Sequence, residues 1–156
     1  MGPINKIPRG YFGIGCVGMK TSMNYGTLFR SANHMGADFI FLIGCRFKAQ
    51  ASDTVKTHRR LPLFVYDTPE DFMSSGIPHG CQLIGIELTD RAVPLQEFKH
   101  PERAIYLLGP EDGSIRGDLL DKCVRVVEIP SNDCLNVSVA GSIVMYDRIA
   151  KQAKEQ

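Results

Sequence analysis

The stretch YFGIGCVGMKTSMNYGTLFRSANHMGADFIFLIG, residues 11–44, holds one complete structural unit. An apolar run at 11–19 leads into a helical pattern at 24–35, and a second apolar run follows at 39–44. Inside the first run, Gly13-Ile14-Gly15-Cys16-Val17-Gly18 matches the G-x-G-x-x-G spelling of a dinucleotide-binding loop. A loop of that kind follows a buried strand and opens a helix directly, so that a pyrophosphate rests on the helix N-terminus. Here Pro3, Pro8 and Gly10 weaken any strand before Gly13, and the helical pattern waits until Asn24. Asp38 is the acidic residue about twenty positions further on, but it precedes the second apolar run instead of following it. The glycines therefore belong to the first strand, where missing side chains allow close packing. An NAD-linked enzyme is disfavoured.

Working outward, apolar runs at 61–66, 82–88, 104–109 and 124–130 bring the expected strands to six. Helical patterns fall at 68–75, 114–121 and 136–152. Near-continuous hydrophobic strands separated by helices predict an α/β fold with a mostly parallel sheet and helices on both faces. At 156 residues, with no repeat, low-complexity segment or linker, the chain reads as a single domain over 1–156.

A chain 44% hydrophobic and 22% charged is ordinary globular composition, which excludes a disordered protein. No apolar run approaches the ~20 residues of a membrane span, and the N-terminus lacks a secretory core. The expectation is a soluble cytoplasmic protein with no membrane partner. Cysteines at 16, 45, 81, 123 and 134 show no CxxC spacing and no paired histidines, so they read mostly as buried thiols, and no metal is expected. Net charge is only +1, but residues 1–75 carry nine Lys/Arg against five Asp/Glu. Within them Arg46, Lys48, Lys56, His58, Arg59 and Arg60 face a single Asp53. That cluster is either a solvated loop or a grip for phosphates.

Three segments carry candidate chemistry. In the helix at 24–35, Tyr25, Leu28, Phe29, Ala32 and Met35 form one buried stripe, and Arg30 points away from it beside Gly26, Thr27 and His34. Asn24 suits an N-cap and Gly36 a left-handed C-terminal residue. Arg30 is a solvated surface arginine or a ligand-facing group at the C-terminal edge of the sheet. The run at 104–109 ends in Gly109-Pro110-Glu111-Asp112-Gly113, a tight turn with exposed backbone groups. Glu111 could there simply help Ser114 cap a helix. The third segment, VEIPSNDCLNVSVAGSIVMYDRI at 127–149, stops a strand at Pro130 and starts a helix near Asn136. This helix is apolar on more than one face, which fits burial against a second subunit or a fully internal helix.

Together, in this order, the segments N-x-G-x-x-x-R-x-A (24–32), G-P-E (109–111) and I-P…L-N-V-S-V-A (129–140) resemble the three motifs of the SPOUT-class, TrmH-like RNA methyltransferases. The likeness covers roughly residues 11–150 and includes GIELTDRAVPL at 85–95 and HPERAIYLLGPE at 100–111. The resemblance implies a deep C-terminal trefoil knot, which ordinary topology rules would not propose. It also implies S-adenosylmethionine as cofactor, held near Leu88, Gly109, Ile129, Cys134, Leu135 and Val137, and a methyl group passed to a ribose 2′-hydroxyl of tRNA or rRNA. Arg30, Asn24, Glu111 and Asn136 match the family's catalytic positions, and a homodimer through the C-terminal helix and knot region is implied. A guanidinium stays protonated at ordinary pH, so Arg30 fits an electrostatic clamp better than a base.

Two departures are visible: Cys134 stands where the family usually has Ser, and the loop from Ile129 to Cys134 is short. No separate N-terminal RNA-binding domain of the kind many relatives carry is expected, so the basic loop and both subunits would grip RNA. Alternative functions are methylation of a base nitrogen, or a cofactor-dead RNA-binding or assembly protein.

Overall fold

The computed structural model describes residues 10–45, 47 and 56–155. In chain order the elements are β1 (Tyr11–Val17), α1 (Ser22–His34), β2 (Phe39–Ile43), β3 (Leu63–Tyr66), α2 (Pro69–Ser75), β4 (Gln82–Ile86), β5 (Val93–Pro94), β6 (Arg103–Leu108), α3 (Gly117–Lys122), β7 (Arg125–Glu128) and α4 (Val137–Lys154). Short 3-10 turns lie at Thr57–Arg59 and Leu95–Glu97. The strands form one seven-stranded sheet in the order β3-β2-β1-β6-β4-β7-β5, with every pairing parallel.

The two-residue period of the strands divides the core into two layers. Phe12, Ile14, Cys16, Ile40, Leu42, Ala104, Tyr106 and Leu108 face α1 and α4. Phe39, Phe41, Ile43, Ile105 and Leu107 face Phe72 of α2 and Leu119 of α3. Gly13 and Gly15 point to this second layer. A Cβ on Gly13 would lie 2.2 Å from the Phe39 ring, and one on Gly15 would lie 2.2 Å from the Phe41 carbonyl oxygen. The G-x-G spelling thus records aromatic rings lying across a strand, as the reading of 13–18 expects.

Several local expectations are corrected. Helix α1 begins at Ser22 with Thr21 as N-cap, and Asn24 sits inside its first turn, its N–H donating to the Thr21 carbonyl. The cause is a tertiary contact with Glu111, which local spacing cannot reveal. Gly26 is buried instead of lying beside Arg30 on the outer face, and Met35 is only half-buried. Gly36 does follow the helix in the left-handed region, at φ 82°. Helix α3 starts at Gly117, so Ser114 caps nothing. Strand β5 is a two-residue addition, and β3 is an edge strand whose Phe64 and Val65 are exposed. Only Cys16 and Cys123 are buried; Cys45 and Cys81 are half-buried, and Cys134 is exposed.

Helix α4 buries Val137, Gly141, Val144, Met145 and Arg148, while Val139, Ile143 and Tyr146 face outward, so it is not fully internal. Its close approach to α1 depends on Gly141, where a Cβ would come within 2.4 Å of Leu28. Among the described residues, no helix is long and apolar enough to cross a membrane.

Candidate active site

Strands β4, β6 and β7 lie side by side, and their C-terminal ends open into loops that enclose one cleft of about 110 Å³. Its lining comes from 86–88, 108–113 and 128–140, and it includes Leu88, Gly109, Ile129, Cys134, Leu135 and Val137. All six positions expected to hold the cofactor are therefore brought together. Apolar Ile86, Leu88, Ile129, Val137 and Ala140 offer a surface for a planar ring. Gly109 is confined by its neighbours: a Cβ there would meet Ile115 N at 3.3 Å and Glu87 Oε2 at 3.5 Å.

Side-chain acceptors cross-link the loops. The Glu87 carboxylate accepts the Ile115 N–H at 2.8 Å, joining the loop after β4 to the turn after β6. Glu111 accepts the N–H groups of Lys20 and Thr21, both at 2.9 Å, and the Asn24 side-chain amide at 3.1 Å. Asn24 Oδ1 in turn accepts from Asn136 Nδ2 at 3.1 Å. Asn136 caps α4, its Oδ1 accepting from Ser138 N at 2.9 Å and Val139 N at 3.3 Å. Three separate motifs thus meet in one hydrogen-bonded chain, Glu111 to Asn24 to Asn136. Burial pushes the Glu111 carboxyl up, but donation from Lys20, Thr21 and Asn24 outweighs it, and the group titrates below its ordinary value.

Arg30 is different. It is exposed on α1, makes no hydrogen bond or ion pair with the described residues, and does not line the cleft. Asn24 and Asn136 also stand outside the lining, tied to it through Glu111 and the start of α4. Of the basic cluster, Lys56, Arg59 and Arg60 are exposed at the 3-10 turn, while His58 is half-buried with its ring 4.9 Å from Phe47. Phe47 packs 6.0 Å from Tyr25, which anchors this turn to the helix that carries Arg30. Arg46 and Lys48 lie outside the described residues.

Glu87 and Glu128 were not among the expected site residues. A signal for them exists: β4, β6 and β7 each run into a glutamate, Glu87, Glu111 and Glu128, at the sheet edge where α/β folds place ligands. Among the described residues, no group of three or more His, Cys, Asp or Glu could hold a metal ion.

The model of the SpoU rRNA Methylase family matches residues 12–146, nearly the whole described sheet and most of α4. The chain belongs to that family. The tRNA (guanosine(18)-2'-O)-methyltransferase of Escherichia coli K12 is 24% identical over 129 residues, covering 80% of this chain and 56% of that protein. Across the curated relatives it matches, the chain spans from 5% to 56% of their length. Among solved structures, the A. aeolicus TrmH/SpoU tRNA modifying enzyme superimposes with a TM-score of 0.83 at 17% identity, over 96% of this chain and 79% of that one. The SpoU methyltransferase AviRb from Streptomyces viridochromogenes, in complex with the cofactor AdoMet, gives 0.80 at 20% identity, over 97% and 65%. The SpoU fold is thus shared along nearly the full described chain.

Proposed function

We propose that this SpoU-family chain transfers a methyl group from S-adenosylmethionine to a ribose 2′-hydroxyl of RNA. One observation carries the reading: every loop position expected to hold the cofactor lines a single cleft, beside the hydrogen-bonded meeting of the three motifs. The apolar wall of that cleft fits an adenine, and its exposed turn backbone fits the polar edges of one. Leu88, Gly109, Ile129, Cys134, Leu135 and Val137 would hold the cofactor. Bound there, it would supply a methyl carbon activated by a positively charged sulfur.

The chain's own residues divide the remaining work. Arg30, with its guanidinium uncommitted among the described residues, would clamp the ribose hydroxyl and a neighbouring phosphate, stabilising the charge that develops on oxygen. Asn24, Glu111 and Asn136 already satisfy one another and act as positioning residues. Lys56, Arg59 and Arg60, with Arg46 and Lys48, would hold the RNA backbone, and His58 fixes their turn against Phe47. A second copy would cover the outer face of α4, where Thr27, Ser138, Val139, Ser142, Ile143 and Tyr146 line an open groove. Arg30 lies one turn beyond Thr27 on α1, at the rim of that interface.

The single domain is proposed to act in the cytoplasm without a metal. Its trefoil knot is supported by the placement of β7 between β4 and β5, with 86–88 and 128–140 lining one cleft. The relatives' names make tRNA the first substrate to try, with rRNA as the second. Incubation of both RNAs with methyl-labelled S-adenosylmethionine, then digestion to nucleosides, tests the reading. Labelled 2′-O-methylnucleosides are expected. Label on a base instead would overturn ribose as the target, and no label with any RNA, together with no cofactor binding, would overturn the enzyme.

A further inference from the structure

The cleft is lined by three carboxylates, Glu87, Glu111 and Glu128, and by no lysine, arginine or histidine. Two of the three are already answered by donors. Glu87 takes the Ile115 N–H, and Glu111 takes two backbone N–H groups and the Asn24 amide. Glu128 is the exception. It closes β7 with its backbone paired to Pro94, is half-buried, and makes no hydrogen bond or ion pair with the described residues.

We propose that Glu128 gives the cleft its preference for the charged methyl donor over the neutral-sulfur product, an inference that rests on reading this cleft as the S-adenosylmethionine site. In the transfer the carbon–sulfur bond breaks with its electron pair left on sulfur, the carbon–oxygen bond forms, and the hydroxyl proton departs to solvent. A sulfonium cation becomes a thioether, so donor and product differ by a methyl group and one positive charge. An uncommitted carboxylate in a partly desolvated cleft attracts that charge more strongly than it would in bulk water. Glu87 and Glu111 have the same sign, but N–H dipoles already offset much of their field. Glu128 therefore favours capture of donor and release of product.

Calorimetric titration of the whole chain with S-adenosylmethionine and with S-adenosylhomocysteine decides the matter, using wild type, Glu128→Gln, Glu128→Asp and Glu97→Gln. Glu128→Gln keeps the shape and one acceptor oxygen, replaces the other with an NH2 donor, and removes the charge. Glu97→Gln removes the same charge from an exposed turn outside the cleft. Glu128→Gln should weaken donor binding about tenfold or more, and product binding by less than about threefold. Glu128→Asp should keep most of the donor preference, and Glu97→Gln should change neither ligand. Raising the salt should shrink the donor-to-product ratio of wild type and leave that of Glu128→Gln nearly flat. Equal weakening of both ligands would mark the carboxylate as a hydrogen-bond acceptor for a part they share, and would overturn the proposal. An unchanged ratio, or an equal effect from Glu97→Gln, would overturn it too. If wild type binds neither ligand, the reading of the cleft falls first and this inference with it.

Discussion

The two ends of the sheet treat polar groups in opposite ways. At the C-terminal end, Glu128 is left without a protein partner among the described residues, in a cleft that encloses open space, and Arg30 is likewise unpartnered among them on the exposed face of α1. At the N-terminal end, buried and half-buried polar groups bond to one another and to backbone carbonyls. Arg148 on α4 is fully buried, with Nη1 donating to the Pro101 carbonyl at 2.7 Å and Nη2 to the Glu102 carbonyl at 2.8 Å. Its guanidinium also lies 5.0 Å from the centroid of the Phe12 ring. His100 bridges the Tyr106 hydroxyl and the Asp147 carboxylate, at 2.7 Å each, and Lys151 pairs with Asp147 at 2.8 Å. Burial pushes the Tyr106 phenol up to about 12. One end ties its polar groups into the fold, and the other leaves the Glu128 carboxylate open to the cleft among the described residues. The same helix, α4, starts at the open end and finishes at the closed one.

The largest effect should come from the exposed arginine of α1. Arg30→Ala should lower turnover about 100-fold or more, as loss of a charge-stabilising donor does. Cofactor affinity and melting temperature should stay near wild type, because this exposed side chain makes no hydrogen bond or ion pair with the described residues and does not line the cleft. An active Arg30→Ala protein would erase the contrast.

Next comes the closed end. Arg148→Leu should cost about 3–5 kcal/mol of stability, since it strands the Pro101 and Glu102 carbonyls and removes a donor to the Tyr106 hydroxyl. Denaturant unfolding would measure this. Activity per folded molecule, assayed well below the melting temperature, should change little.

Asn24→Ala falls between the two, because it cuts the bridge from Glu111 to Asn136. A stability loss of about 1–2 kcal/mol is expected from the unpaired partners. A fall in kcat with little change in cofactor binding would show that it positions the helix carrying Arg30. Loss of stability alone would make Asn24 purely structural.

The smallest effect is on pH dependence. Burial lowers the His100 imidazole below its ordinary value, against the opposing pull of Asp147 and with Lys151 and Arg148 adding to the fall. The unfolded chain therefore takes up this proton first. Stability should be complete above the ordinary histidine value of about 6.5 and decline as pH falls through it. Melting curves across that range should be flatter for His100→Gln than for wild type.

These contrasts also explain what could be read from the sequence. Asn136 as the cap of α4, Gly36 in the left-handed region and the strand identity of 13–18 are local matters, decided by neighbours in the chain. The six positions expected to hold the cofactor come from family resemblance, because only a fold places Leu88, Gly109 and Val137 in one cleft. The start of α1 was misjudged because its partner, Glu111, arrives from a distant turn. Strand β5 escaped because two residues carry no period, and its last, Pro94, cannot donate to a ladder. The basic cluster was legible as composition, but its attachment to α1 through Phe47 and Tyr25 was not.

One consequence follows from the grip of Glu111 on Lys20 and Thr21. From that anchor to Arg30 the helix acts as a lever arm of about 15 Å, at 1.5 Å of rise per residue. A tilt of about 4° at the fulcrum would swing the guanidinium by about 1 Å, which in the proposed clamp role would cost about 100-fold in rate. Whatever settles the turn after β6 also aims the arginine.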